Sequence, residues 1–379
     1  MHKDGQKKEA ILRNSGFQTI LASLLCIIIG LLIGYIVLLI INPGGAGKAI
    51  VAIIKNFLYY PSSAAAMKYF GTTLVKASAL LMCSLSVLFA YKVGLFNIGA
   101  AGQYVVGAGA CLYFSLNLGM PWYVCLIAGV MMAALAGGIS GALKAYFNVN
   151  EVISCIMLNW IGLYCVNMLL SQVKEQSTPY TKSLTSTNKS ALLPSLGLSK
   201  LFSDNEFVTI GVILAVAMAA IVWVVLEKTK FGYELKATGM NKQAAKYCGM
   251  REKRNLILTM MISGGLAGFG AGIFYLTGIE QWMVQQTSVP AMGFNGIAAA
   301  FLGGLHPIGT IFSSYFIQHI TSGGTYVDKT MYCTQISDLI SAFIIYLCGF
   351  VLFFRIWLNR LLDKRDEKQA SKERKGGEA

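Results

Sequence analysis

The chain reads as an all-α, polytopic membrane bundle of about ten transmembrane helices, and three observations lead there. It is 55% hydrophobic and only 13% charged over 379 residues, whereas a soluble domain carries about 25% charged residues. Its apolar residues fall into long runs free of charge, separated by basic connectors. Many of its 40 glycines lie inside those runs, where glycine lets helix backbones approach closely or lets a helix break.

The first run, Thr19 to Ile41, is 23 residues without a charge. A basic segment precedes it, as in a signal peptide, but the apolar region of a signal is about 7–15 residues. A retained span is predicted, because at about 1.5 Å per residue the run crosses a hydrocarbon core of roughly 30 Å. Further spans are predicted at Thr72–Tyr91, Ile98–Asn117, Trp122–Leu143, Val152–Leu170, Phe207–Leu226, Asn255–Thr277 and Gln335–Leu358. Between Ser288 and Ile320 the apolar stretch is broken by Gly303, Gly304 and Pro307, which predicts two short spans, Asn295–Gly304 and Pro307–Ile320. The chain then divides into a cytoplasmic tail (1–18), a transmembrane domain (19–358) with a cytoplasmic loop at 227–254, and a second cytoplasmic tail (359–379).

With ten spans and the N-terminus inside, 22 Lys and Arg fall on the inner side and 8 on the outer, Lys76 lying within a span. The positive-inside rule therefore accounts for the net charge of +14, and no nucleic-acid partner is needed. Gly137-x-x-x-Gly141 and Gly264-x-x-x-Gly268-x-x-x-Gly272 each place glycines on one helix face, which permits close helix contact. The nine cysteines form no C-x-x-C pair, and most lie in apolar runs as small hydrophobes.

The loop at 227–254 is better built than a passive connector. Asn241 is a good N-cap, Lys242 to Cys248 favour a helix, and Gly249 stands where a C′ glycine would stop it. Two turns, about 10 Å long, would lie across the membrane surface, with Ala244, Ala245, Tyr247 and Cys248 giving an apolar side edged by Lys242 and Lys246. Either this is an amphipathic linker on anionic headgroups or it docks in a groove of a cytoplasmic partner that supplies energy. The chain has no phosphate-binding loop of its own: Gly44-Gly45-Ala46-Gly47-Lys48-Ala49 lacks the first glycine and the final Ser or Thr of that motif.

Four segments together resemble the permease subunits of bacterial ATP-binding-cassette importers, in the branch that serves simple sugars and nucleosides. They are GLFNIGAAGQ (94–103), NEVISCIMLNWI (150–161), ATGMNKQAAKYCGM (237–250) and FNGIAAAFLGGLHPIGT (294–310), in the family order. The resemblance implies a type II importer architecture in a bacterial plasma membrane, with an inverted repeat and both termini cytoplasmic. It also implies a second permease, as a heterodimer, two ATPase subunits that bind ATP and Mg, and an extracytoplasmic binding lipoprotein. NIGAAGQ with NEVI and MLN looks more like the nucleoside-type branch. Gly239 to Gly249 would correspond to the ATPase-contacting loop, giving coupling roles to Gly239, Asn241, Ala244, Ala245, Tyr247 and Gly249. One departure is Ala101, where family members often carry Glu, so no role for that acid transfers.

A solute path needs neutral polar groups among apolar neighbours. Asn97, Gln103, Asn159 and Asn295 are amides able to meet ribose hydroxyls or base edges, and Phe96, Trp160 and Phe294 could stack on a base or sugar face. The other reading of the amides is that they cap or bridge helices. Phe96-Asn97-Ile98-Gly99 and Phe294-Asn295-Gly296-Ile297 share a pattern but would enter from opposite faces, as in an inverted repeat. Glu151 starts a span, where capping suits an acid better than solute contact does. Lys76 and Asp338 lie near outer span ends, consistent with snorkelling or a mutual ion pair. His306 has no partner at ligand spacing, so no metal is expected, and no nucleophile stands beside a base. The reading is a non-catalytic translocation subunit for nucleosides. The same architecture importing ribose or galactose is one alternative. An ion-coupled secondary transporter is another, and it would require acids deep in the bundle.

Overall fold

A computed structural model describes residues 15–333, 335–351 and 353–360. The two predicted tails lie outside them, apart from residues 15–18 and 359–360. The helices in chain order are α1 (Ser15–Ile41), α2 (Ala46–Lys55), α3 (Ser63–Lys92), α4 (Ala100–Leu116), α5 (Trp122–Phe147), α6 (Glu151–Leu170), α7 (Gly211–Lys228), α8 (Lys230–Met240), α9 (Lys242–Tyr247), α10 (Glu252–Tyr275), α11 (Ala291–Leu302), α12 (Pro307–Gly323) and α13 (Ile336–Cys348), with one-turn pieces between α6 and α7. Helices α1, α3, α5, α6, α7 and α10 are long and apolar enough to cross a membrane, while α4 and α11 are apolar but shorter. The fold is therefore an all-helical, polytopic membrane bundle, with six helices of spanning length among the described residues.

Helix α3 is the axis. Every residue from Ala77 to Ala90 is buried, because α4, α7, α10, α11 and α12 all pack on it. Its sequence has no polar face to turn outward; Ser78, Ser84 and Ser86 are compatible with burial because each hydroxyl hydrogen-bonds to a main-chain carbonyl or another serine. A helix apolar on all sides suits either a protein core or lipid, and here neighbouring helices cover it. By contrast α6 and α7 expose one side each, through Met157, Trp160, Tyr164 and Met168 on α6 and Ile213, Val216, Ile221 and Val224 on α7.

The two glycine patterns turn out to be halves of one interface, between α5 and α10. Along these antiparallel helices Leu126 meets Gly272, Gly129 and Ala133 meet Gly268, Ala133 meets Gly264, Gly137 meets Met260 and Gly141 meets Ile257. A Cβ on Gly137 would stand 2.2 Å from the Met260 carbonyl oxygen, and one on Gly264 2.4 Å from that of Ala133. Main chain lies on main chain, so dispersion contacts replace the hydrophobic drive that lipid does not supply.

Two helices fall in segments taken as connectors. Ala46, Ala49, Ala52 and Ile53 form the buried side of α2, so the rejected Gly44–Ala49 motif is simply a helix start. Thr229 caps α8 by accepting the Gly232 N–H at 3.0 Å. At the other end of the bundle, the segment 171–210 forms a cap with the loop after α10. Thr181 N–H donates to the Trp282 carbonyl, Val284 N–H to that of Pro179, and the Trp282 indole to Asn167 Oδ1 at 2.9 Å.

Gly264→Ala is expected to destabilise the fold by about 1–3 kcal/mol through overpacking. Gly47→Ala, where a Cβ meets nothing within 4 Å, should be neutral or stabilising through helix propensity. Thermal midpoints in detergent would separate the two, and equal shifts would remove the close-packing account.

Candidate translocation path and coupling surface

The amides converge at the turn between α3 and α4. Asn97 is fully buried and its Nδ2 donates to Gln103 Oε1 at 2.8 Å and Ser263 Oγ at 2.6 Å, with Ser86 Oγ at 3.3 Å. Gln103 Nε2 returns a bond to Asn97 Oδ1 at 3.2 Å. Asn159 Oδ1 accepts the Gly102 N–H at 2.9 Å, one of the unpaired amides at the start of α4, and its Nδ2 donates to the Ile98 carbonyl at 3.2 Å. The network binds α3, α4, α6 and α10 together around groups that are individually expensive to bury. In this conformation three of the four predicted amides, Asn97, Gln103 and Asn159, bridge helices.

The remaining predicted residues sit on open faces. Phe294 is 41% exposed on α11 and Asn295 is half-buried beside it. Phe96 is half-buried, edge-on to Tyr91 at 6.4 Å, and Tyr91 meets Phe301 at 5.2 Å. Because Phe294, Ile297 and Phe301 recur at helical spacing, they form an apolar side of α11 that continues through Tyr91 to Phe96. Trp160 lies elsewhere, on the exposed side of α6, stacked on Tyr164 at 6.2 Å. Tyr91 and Phe301 were not singled out from the sequence, although the spacing of Phe294 and Phe301 was visible there.

The glycine-rich segments 94–109 and 293–304 meet at Ala101 and Gly293. A Cβ on Gly293 would stand 2.3 Å from Ala101 Cα, and one on Gly296 2.8 Å from Cys83 Cβ. Backbone contact with Gly293 fills the space beside Ala101, the position where an acid is common in the resembling family. Asn97 precedes α4, whereas its counterpart Asn295 lies within α11.

Charges gather at the two ends. Glu151 pairs with Lys144 at 2.8 Å, and Asn150 caps α6 by accepting the Val152 N–H at 2.9 Å. The Lys76 charge is felt by Glu280, in the loop after α10, while Asp338 lies exposed in the first turn of α13. Glu280 is exposed at the surface, yet enough protein lies around its carboxyl that desolvation pushes it above the ordinary range, while the Lys76 ammonium pulls the other way. A carboxyl raised in the folded state contributes stability at low pH that is lost as pH rises through its raised value.

The basic end carries α9, built as the sequence predicts. Asn241 Oδ1 accepts the Ala244 N–H at 3.0 Å. At the other end Met250 N–H reaches the Ala245 carbonyl and Gly249 N–H that of Lys246, each at 3.0 Å, with Gly249 at φ +80°, a Schellman turn. The predicted apolar side divides: Ala245 packs inward at 4% exposure, while Ala244, Tyr247 and Cys248 face out, Tyr247 at 92% and neighbouring Met240 at 89%. Gly239 faces the body of the protein.

A bundle of membrane-length helices with a short capped helix exposed at its basic end is an architecture that a transport permease can use. Residues 69–349 match the family described as branched-chain amino acid transport system / permease component, and the chain belongs to that family. It is 32% identical over 360 residues to the nucleoside ABC transporter permease protein NupB of Lactococcus lactis subsp. cremoris, covering 91% of this chain and 94% of the relative. It is 30% identical over 350 residues to the guanosine ABC transporter permease protein NupP of Bacillus subtilis, covering 91% and 97%. It is 28% identical to the glucose ABC transporter permease protein TsgB13 of Haloferax volcanii, covering 82% and 84%. In each of the first two bacteria a second nucleoside or guanosine permease is also similar to this chain, at 27% and 28% identity over 66% and 64% of it. No solved structure matches.

Asn97→Leu leaves Gln103 and Ser263 short of a partner and should cost about 1–3 kcal/mol of stability, whereas Phe294→Ala should lower transport with little change in thermal midpoint. Measuring uptake and midpoint for both variants checks this, and a destabilised Phe294→Ala would place that ring in the core instead. Glu280→Gln should raise the thermal midpoint near pH 8, with the gain vanishing by about pH 3, below the ordinary Glu range. A gain independent of pH would contradict the assignment.

Proposed function

We propose that this chain is a translocation subunit of an ATP-driven nucleoside importer. The observation that carries the reading is end-to-end similarity to two nucleoside-type permeases, over 91% of this chain in both cases. The glucose relative supports the sugar alternative less well, covering less of both chains. Adding α4, α11, α12 and α13 to the six long helices makes ten spans, α2 lying at the surface. The termini and α9 are cytoplasmic in this reading, which places 22 basic residues inside and 8 outside, and the two glycine-rich segments enter from opposite faces as an inverted repeat.

Asn241, Ala244, Tyr247 and Gly249 then shape and present the helix that meets the partner ATPases, while Ala245 anchors it. ATP and Mg are bound by those ATPases, and a binding lipoprotein delivers solute to the cap formed by 171–210 and the loop after α10. The apolar faces of α6 and α7 suit lipid and a second, distinct permease. In the conformation described, the amide network closes the bundle at Asn97. ATP-driven movement of α9 would open a route along Phe96, Tyr91, Phe294 and Phe301, whose faces can stack on a base, with Asn295 offering hydrogen bonds and Asn97, Gln103 and Asn159 freed to do the same. Trp160 would contribute from the face turned to the second permease.

Cells lacking the chain should lose uptake of radiolabelled nucleoside, with excess unlabelled ribose failing to compete in wild-type cells. Loss of ribose uptake alone would overturn the substrate and leave the architecture standing.

A further inference from the structure

The coupling loop and the amide network meet at a contact with no side chain in it. Gly239, in the last turn of α8 and two residues before the Asn241 cap, lies against the turn that ends α3. A Cβ on Gly239 would stand 2.1 Å from the Val93 carbonyl oxygen and 2.3 Å from its carbon, and a Cβ on Gly94 would stand 2.9 Å from the Gly239 oxygen. That turn is rigid: Leu95 N–H reaches the Ala90 carbonyl and Gly94 N–H that of Tyr91, each at 3.0 Å, with Gly94 at φ +76°. Leu95 is buried, and Asn97 follows two residues later.

The other side of the same turn of α8 is fastened to α10. Thr238 and Asn255 are both fully buried, and Asn255 Nδ2 donates to Thr238 Oγ1 at 2.9 Å. Asn255 Oδ1 is buried with no donor among the described residues.

We propose that Gly239 on Gly94 is the joint through which displacement of α9 reaches the Asn97 network, making Gly239 a positioning residue and not part of the ATPase-contacting surface. Two main chains in contact have no rotatable bond between them, so a push on α8 is not absorbed by a change of rotamer. The short chain from Gly94 to Asn97 then carries it to the bonds with Gln103 and Ser263. A Cβ at Gly239 wedges the two chains apart and breaks the register. The proposal rests on the importer reading above.

The test uses the full transporter, purified through this chain and reconstituted in proteoliposomes, comparing wild type with Gly239→Ala and Thr238→Val. Gly239 has ordinary helical φ, so alanine alters only the contact. Both variants should retain the co-purifying ATPases and hydrolyse ATP within about twofold of wild type, while nucleoside uptake per ATP falls about tenfold in Gly239→Ala and by a smaller factor in Thr238→Val. Parallel loss of hydrolysis and uptake would place Gly239 at the ATPase surface and overturn the joint, as would unchanged coupling. If Gly239→Ala does not fold, Thr238→Val, which adds no volume, decides alone: intact coupling there rejects the proposal. A wild-type chain that brings no ATPase with it overturns the importer reading itself, whereas a wild type that couples, beside variants that do also, overturns only the joint.

Discussion

In a bilayer, helix sides gain nothing from meeting each other merely by being apolar, because lipid tails are as apolar as leucine. What holds this chain together is close approach, and close approach requires that Cβ atoms be missing where backbones cross. The α5–α10 contact meets that requirement along its whole length, from Gly272 against Leu126 to Gly141 against Ile257. It sets the position of α10, and α10 in turn supplies Ser263 to the amide network and Asn255 to the coupling corner. The same device recurs where Gly107 meets Gly268, Gly296 meets Cys83 and Gly293 meets Ala101. Stability and the geometry of the path thus share one cause.

Features with local causes were legible in the sequence. The ends of α9 follow from Asn241 and Gly249, whose roles depend on a side-chain oxygen and on a positive φ, both local. The start of α6 follows from Asn150 in the same way, and the break between α11 and α12 from Gly303, Gly304 and Pro307. The two glycine patterns announced close packing without naming the partner, since a small-residue stripe says how near another helix can come and not which helix comes.

What stayed hidden depends on pairing across the chain. Asn97, Gln103 and Asn159 could equally have lined an aqueous route or bridged helices, because an amide near a span end looks the same in either role. Only Ser263, 166 residues away, and the Gly102 N–H show that they bridge helices in the conformation described. Hydropathy likewise cannot separate α3, buried all round, from α1, open along one side, because an apolar run is equally at home in protein and in lipid. Helix α2 was missed because it is short and its buried side, apart from Ile53, is made of alanines. Helix α8 was missed because its capping threonine follows α7 so closely that the two read as one connector.

The neutral character of the path region follows from the same packing. An acid at position 101 would have to displace Gly293, whose main chain fills that space, and no compensating charge lies on the amide network. Lys76 and Glu280 belong to the cap end, where Glu280 is exposed to solvent and its cost of ionisation is moderated. Along the proposed route a solute would meet aromatic faces and neutral amides, which can bind and release without the desolvation penalty that a buried charge would impose at each step. That matches an uncharged, hydroxyl-bearing solute with a flat aromatic part better than it matches an ion or an acid.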